Sequence, residues 1–289
     1  MASSSKNTNV AGNNCAAKQG RNVAVIGASL GGLSAANALI QLGLTVHVYE
    51  RSKGPMHNKG YGMGFVDVDL WEKLTGRRMI RRGQHANRGQ GAFYYGDLWK
   101  FLYEGLPKGT VRFGSTVNSL GSSKTEAMRQ PTIGKEKYDL VVLADGGWSM
   151  LRRYITDKIP QYSGYAIWGG VVDADNVPDF RSFGIYKNGI YDLIAMPLAK
   201  DKGADAIISG IFVATPEKDV ERSAPGTARH LDEKHEKKLN VAKTAPAWFL
   251  PFVKANFGSE LFRLFKAIAS TKTLTGRPMV RDSTSVLAD

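Results

Sequence analysis

The sequence predicts an α/β fold, in which a domain built on a parallel sheet is followed by an α+β region with an antiparallel sheet. Three observations carry this reading. A β-rich apolar run, a glycine turn, a helical period and a second β-rich run follow one another within Val23–Arg51, a nearly continuous apolar run recurs at Lys137–Ala144, and beyond Pro160 the pattern changes to alternating segments separated by turn residues. Strand, helix and strand within about thirty residues is the size of a βαβ crossover, and a crossover of that kind requires parallel strands.

Taken in order, Val23–Ile26 reads as a short strand, Leu33–Leu42 as a helix with Leu33, Ala36, Leu39 and Ile40 on one face, and Leu44–Tyr49 as a second strand after Gly43 stops the helix. Helices are expected near Val68–Leu74 and at Gly96–Gly105, with a strand at Thr110–Phe113. Lys137–Ala144 is expected to be a buried parallel strand because its apolar run is almost unbroken. Strand segments follow at Tyr165–Val172, Ser182–Pro197 and Asp205–Thr215, then helices at Thr227–Ala242 and Ala247–Ala269. Strands gathered ahead of helices suggest a second layer that covers the first domain.

With 289 residues, 43% of them hydrophobic, the chain can bury one core or two that share an interface. Cys15 is the only cysteine, which excludes an internal disulfide, a cysteine-built iron–sulfur cluster and a cysteine-rich zinc site, and points to a reducing, cytoplasmic setting. The formal charge of +13 favours phosphate-bearing partners. Part of it lies in Met1–Arg21, which carries Lys6, Lys18 and Arg21 and no acid among Ser, Asn and Gly, the composition of a disordered tail. Another part, Arg77, Arg78, Arg81, Arg82 and Arg88, reads as a solvated face, since no zinc-finger spacing, basic zipper or aromatic RNA-binding signature accompanies it. Nucleic acid is not expected as a partner. Nor is a membrane, because the most apolar stretch, Val23–Tyr49, is cut by Gly27, Ser29, Gly31, Gly32 and Gly43.

The chemistry concentrates at Gly27-Ala28-Ser29-Leu30-Gly31-Gly32, which lies between a predicted strand and a predicted helix, the context a dinucleotide fingerprint needs. Gly27 permits the tight turn, Gly32 lets helix and strand pack closely, and Ser29 stands where the backbone comes nearest the pyrophosphate, adding a hydroxyl donor. The helix that starts near Leu30 points free N–H groups and a positive dipole end at that pyrophosphate. Glu50 ends the second strand 18 positions after Gly32, near the distance at which a carboxylate meets the adenosine ribose hydroxyls, and Arg51 beside it is counted with the nucleotide-binding candidates. The first domain is therefore expected to be Rossmann-like. An acidic end to the strand favours an adenosine without a 2′-phosphate, and these residues leave FAD and NAD both open.

Asp139-Leu-Val-Val-Leu-Ala-Asp145-Gly146-Gly147-Trp148-Ser149-Met150-Leu151-Arg152 resembles the second motif of the single-component FAD-dependent aromatic hydroxylases, the para-hydroxybenzoate hydroxylase-like family. Gly60-Tyr-Gly-Met-Gly64 is similar to the family's segment beside the flavin ring, and Trp168-Gly-Gly170 to the opening strand of its substrate domain. Ser29 suits the 2,6-dihydroxypyridine hydroxylase-like branch. The resemblance implies FAD as cofactor, with Asp145 and Gly146 contacting or supporting it and Arg152 near the approach of the nicotinamide nucleotide. Two features depart from the family. Tyr94 and Tyr95 stand where an arginine commonly precedes the next helix, and the chain ends at Val286-Leu-Ala-Asp289, where the strand of a third, Gly-Asp motif would begin, so a truncated chain is expected.

The domain plan is thus a tail over 1–21, an FAD-binding Rossmann-like domain over 22–160, a substrate-domain-like α+β region over 161–275 and the start of a return to the first domain over 276–289. The resemblance implies a monooxygenase that uses NADPH or NADH, FAD and O2 to hydroxylate a small aromatic molecule. Because the cofactor carries the hard chemistry, no catalytic residue is named. A homodimer is carried as the assembly. Two alternatives stay open, a catalytically impaired FAD- or nucleotide-binding remnant and an NAD-dependent oxidoreductase. No metal is expected: His230 and His235 are five apart with Glu233 misplaced for a zinc pair, and no Gly-x-Ser-x-Gly elbow suggests a hydrolase. Tyr165, Trp168, Tyr186 and Tyr191 are read as core in preference to a substrate pocket.

Overall fold

The computed structural model describes residues 20–56, 62–78, 90–124, 129–147, 149–158, 161–178, 180, 184–189, 191–199, 205–213, 247–271 and 273–281. The first part runs β1 (Asn22–Ile26), α1 (Leu30–Gln41), β2 (Thr45–Glu50), β3 (Gly62–Asp67), α2 (Val68–Thr75), β4 (Gln90–Tyr94), α3 (Tyr95–Glu104), β5 (Val111–Phe113), β6 (Gly121–Lys124), β7 (Arg129–Ile133), β8 (Glu136–Lys137) and β9 (Leu140–Leu143). Strands β5, β2, β1 and β9 form, in that order, the expected parallel sheet.

After the exposed Asn22, strand β1 is apolar because both of its faces are covered. Val23 and Val25 pack with Leu33 and Ala36 of α1 and with Leu98, Trp99 and Leu102 of α3, whereas Ala24 and Ile26 pack on the other side with Tyr49, Tyr138 and Leu151. Such a strand has no solvent face to alternate toward. Helices α1 and α3 are joined by a buried amide: Asn37 Nδ2 donates to Leu33 O at 2.8 Å and to Leu102 O at 2.9 Å. Asp67 accepts from Leu70 N at 3.0 Å to cap α2, and Gly76, at φ +66°, ends it.

The segment expected as one buried strand, Lys137–Ala144, is two. Its start belongs to β8, antiparallel to β7, and the chain then crosses to β9, which is parallel to β1. Strand β9 is the described edge of the parallel sheet, so none of its residues is fully buried and Leu140 is 47% exposed. The apolar run reported the sheet correctly, but the number of covered faces depends on neighbours far away in sequence. The antiparallel β3–β4 pair and the β6–β8 sheet were not anticipated, being short and poor in alternating apolar residues.

The second part comprises β10 (Gln161–Asp173), β11 (Gly184–Asn188), β12 (Tyr191–Ala199), β13 (Asp205–Val213), α4 (Phe249–Ser270) and β14 (Thr275–Arg281). The five strands form an antiparallel sheet in the order β11-β12-β13-β10-β14. The expected strand Ser182–Pro197 is a hairpin, turned at Gly189 with φ +59°. Helix α4 covers one sheet face, where Trp168, Val172, Leu193 and Ala195 meet Phe249, Val253, Leu261, Leu264, Phe265 and Ile268. Gly170 lies under α4, where a Cβ would strike Ile268. The backbone leaves helical geometry at Gly258, φ +83°, where α4 is kinked. Trp168 is core, as read from the sequence, and Tyr186 and Tyr191 pack against the same cluster. The tail over 1–19, the helix expected at Thr227–Ala242, His230, His235, Arg81, Arg82 and Arg88 lie outside the described residues. Of the basic group, Arg77 is a local brace, donating to Phe101 O at 2.7 Å and pairing with Glu104 at 3.4 Å.

On the sheet face away from α1 a polar network ties β8 to β2 and β5. The Tyr138 hydroxyl donates to Glu136 Oε2 at 2.6 Å and lies 2.6 Å from the Tyr49 hydroxyl. Arg112 donates to the other Glu136 oxygen and, at 2.9 Å, to Tyr49 Oη. His47 Nδ1 is 3.1 Å from Tyr138 Oη. The Arg112 guanidinium and the Tyr138 hydroxyl hold the Glu136 carboxyl at about 2, below its ordinary 4.5. Burial, with Glu136 and Tyr49 as partners, pushes Tyr138 up, and burial with Arg112 nearby lowers His47.

Two expectations follow from this architecture. Because the Glu136 carboxyl is depressed in the fold, the network's contribution is complete above the unfolded value of 4.5 and is lost as pH falls toward 2. The urea midpoint is therefore expected to fall between pH 5 and pH 3, and to fall less in Glu136→Gln; the difference is modest because the Glu136 side chain is 46% exposed. Asn37→Ala removes the amide that serves two carbonyls at the α1–α3 contact and is expected to cost about 1–3 kcal/mol in urea unfolding. An unchanged midpoint would refute that role.

Candidate functional site

The carboxyl ends of β1, β2 and β9 stand side by side, since Ile26 is in register with Tyr49 on one flank and Leu143 on the other. From β1 the chain proceeds to β2 and β5 on one side and returns to β9 on the opposite side. The crevice at such a reversal, beyond the carboxyl ends of the strands, is where open α/β sheets bind their ligands. Three turns converge there, beginning at Gly27, Arg51 and Ala144.

The first turn is compressed against the third. Gly27 N–H donates to Tyr49 O at 2.8 Å, Ala144 N–H donates to Ile26 O at 2.8 Å, and Gly27 has φ +101°. A Cβ on Gly27 would strike the Ala144 carbonyl, and one on Gly32 would overlap the Gly27 carbonyl oxygen. These two glycines therefore do what their spacing suggested: one allows the turn, the other the close approach of α1. Gly31 is exposed and has nothing within 4 Å of where its Cβ would be, so the approach to the start of α1 is open. Leu30 contributes only backbone to this edge, because its side chain is buried in the core with Leu33.

Glu50 is buried, and its carboxylate spans two turns. Oε2 accepts from Ala28 N at 2.8 Å and Oε1 from Ser52 N at 2.7 Å. It is thus a brace for the glycine turn as well as a candidate ribose ligand, since each carboxylate oxygen accepts more than one hydrogen bond. Arg51 is exposed at the start of the second turn.

In the third turn Gly146 has φ +95° with open space around it, and Ser149 N–H donates to Gly146 O at 3.0 Å. Ser149 Oγ, just ahead of the short 3-10 turn Leu151–Tyr154, accepts from Arg152 N within it at 3.0 Å, and the Arg152 guanidinium reaches Gly147 O at 3.5 Å. Ser149 is therefore structural. Asp145 Oδ1 is a buried side-chain oxygen with no hydrogen-bond partner among the described residues. A buried acceptor left unsatisfied is costly, and its position beside the Gly27 turn suits a donor from a ligand or its bound water. Trp148, Gly60 and Tyr61 lie outside the described residues, while Gly62 and Gly64 fall in β3.

Two contributors escaped the sequence reading, both on α3. Trp99 Nε1 donates to Ala28 O at 2.6 Å from a fully buried position, and the Tyr95 hydroxyl lies 2.8 Å from Ser29 Oγ. Ala28 therefore has its N–H held by Glu50 and its carbonyl held by Trp99. The available signal was the spacing of Tyr95, Trp99 and Tyr103, four apart on one helix face; it says that these rings share a side, not that the side meets the glycine turn. Tyr94 points the other way, packing against Met196 and Leu198 on the face of the five-stranded sheet opposite α4.

No family model matches the chain. Among curated proteins it is 27% identical over 219 residues to 2,6-dihydroxypyridine 3-monooxygenase of Paenarthrobacter nicotinovorans, covering 64% of this chain and 53% of that protein. It is 29% identical over 186 residues to the FAD-dependent urate hydroxylase of Klebsiella pneumoniae, covering 52% of this chain and 47% of that one. The chain thus spans about half the length of the curated relatives it matches. Among solved structures, 2,6-dihydroxypyridine-3-hydroxylase from Arthrobacter nicotinovorans superposes with a TM-score of 0.63 at 20% identity, over 92% of this chain and 73% of that one. Klebsiella pneumoniae HpxO in complex with FAD and uric acid gives 0.63 at 18% identity, over 91% and 68%. By sequence the chain is a relative of FAD-dependent monooxygenases, matched over about half of their length, and its fold resembles that of the solved 2,6-dihydroxypyridine-3-hydroxylase.

Proposed function

We propose that the protein binds FAD at the Gly27–Glu50–Asp145 crevice and acts as an NAD(P)H- and O2-dependent monooxygenase on a small aromatic or heterocyclic molecule. The observation that carries the reading is the convergence of an uncrowded helix start, a braced carboxylate and an unsatisfied buried carboxylate oxygen at one edge of a parallel sheet. The donor set fits a flavin dinucleotide. The N–H groups at the start of α1, with Gly31 and Ser29, face a diphosphate; Glu50 lies where ribose hydroxyls arrive; Asp145 and Gly146 support the ribityl–diphosphate stretch, with Arg152 behind them. When bound, FAD supplies the redox chemistry, accepting hydride from the nicotinamide and reacting with O2.

The chain's own residues provide placement and exclusion of water. Tyr94, Val171, Ile194, Met196 and Leu198 make an apolar bed on the sheet face opposite α4, and the Tyr94 phenol is pushed up by burial and by Asp97, so it stays a neutral donor. This apolar cluster, with the Tyr94 hydroxyl beside it, is the side on which an electron-rich ring would lie. The relatives' names include a dihydroxypyridine, urate and 3-amino-4-hydroxybenzoate, which supports that substrate class. A second reading rests on the glycine turn and Glu50 alone, a nucleotide-binding module without hydroxylation.

The tests separate these. FAD added to the purified protein is expected to have its fluorescence altered on binding. Asp145→Ala is expected to weaken that binding about tenfold or more while leaving the apoprotein at least as stable, because an unpaired buried oxygen is removed. Equal FAD affinity in Asp145→Ala would remove Asp145 from the site. With FAD bound, NADPH oxidation is expected to accelerate when a hydroxylated pyridine or benzoate is added, and mass spectrometry to find one oxygen gained by the ring. FAD binding with no ring-dependent NADPH consumption would leave the module reading standing.

A further inference from the structure

Serine at a helix N-cap normally turns its hydroxyl onto the N–H groups of the first turn of its own helix. Ser29 has the backbone for this, extended at φ −81° and ψ −176°, yet its side chain makes no capping hydrogen bond. Its Oγ is instead 2.8 Å from the hydroxyl of Tyr95, the first residue of α3. Tyr95 is held from two directions: its ring packs against the core between α1 and α3, and Trp99, one turn further along α3, is tied to the Ala28 carbonyl. The serine adjusts to the tyrosine.

Resting on the FAD reading above, we infer that Tyr95 is a positioning residue that keeps Ser29 from capping its own helix and so reserves both the first N–H groups of α1 and the serine proton for the cofactor diphosphate. A phenol is a stronger donor than an aliphatic alcohol, so Tyr95 gives its proton to Ser29 Oγ. The serine's own proton is then directed outward. A self-capped Ser29 would satisfy one of the N–H groups that an anion needs, and the anion would have to break that bond first. Tyr95 itself acts only through Ser29. It adds no charge, and it substitutes a fixed hydroxyl pair for a mobile side chain at the mouth of the site.

The test is a double-mutant cycle read by FAD titration and by the melting temperature of the apoprotein. Tyr95→Phe keeps the ring and its packing but frees Ser29. It is expected to weaken FAD binding about five- to twentyfold while the apoprotein's Tm stays unchanged or rises by about 2 °C, since a capped helix is more stable. In a Ser29→Ala background the same Tyr95→Phe change is expected to alter FAD affinity by less than about twofold, because the residue it positions is gone. Equal losses in both backgrounds, an unaltered affinity in Tyr95→Phe, or a lowered apoprotein Tm that accounts for the loss would each overturn the inference. Wild-type protein that takes up no FAD would overturn the cofactor reading with it, whereas wild-type binding with an unaffected Tyr95→Phe would remove only the tyrosine's role.

Discussion

Between the end of β1 and the start of α1 the backbone runs so close to Ala144 and to itself that side-chain carbons have no place. Gly27 presses on the Ala144 carbonyl and Gly32 on the Gly27 carbonyl, which brings two segments more than a hundred residues apart into contact. The rest of the site follows from that proximity. It sets Asp145 beside the glycine turn, starts α1 at the sheet's carboxyl edge with its positive end outward, and leaves open space beside Gly31 where a bulkier turn would crowd the helix start.

A turn built of glycines is conformationally free in the unfolded chain, so something must hold it in the fold. Here both backbone groups of Ala28 are held by buried side chains, the N–H by Glu50 and the carbonyl by Trp99. The two braces come from opposite sides, one from β2 and one from α3. A site whose backbone donors are fixed in advance does not have to be ordered when the ligand arrives, which is the physical content of preorganisation. Asn37, buried between α1 and α3, keeps the helix that carries Trp99 and Tyr95 at the distance these contacts need.

The two sheets meet this edge differently. The parallel sheet supplies the turns, whereas the antiparallel sheet presents an apolar face through Met196 and Leu198, reached by Tyr94. Tyr94 and Tyr95 are neighbours in the chain at the junction of β4 and α3, one against the antiparallel sheet and the other against the glycine turn. The apolar face of the antiparallel sheet and the glycine turn of the parallel sheet are thus linked through one peptide bond.

Much of this was legible without coordinates. The parallel βαβ unit, the places of Gly27 and Gly32, the acid ending β2, the antiparallel character of the later strands and Trp168 as core all follow from local periodicity, glycine spacing and residue type, which reflect short-range sterics and the need to bury one face. Other features were decided by contacts between distant segments. Lys137–Ala144 became two strands in two sheets, with Tyr138 between them held by Glu136, and β9 lies at the described edge of its sheet. Glu50 proved to be a brace for the turn, Asp145 kept an unsatisfied oxygen, and Tyr95 and Trp99 joined the site from a helix whose amphipathic pattern spoke only of packing. Sequence alone determined the βαβ unit and which turn must be glycine, because those are set within a few residues. The tertiary structure alone decided which polar atoms meet, because a hydrogen bond across 66 or 71 positions leaves no local pattern.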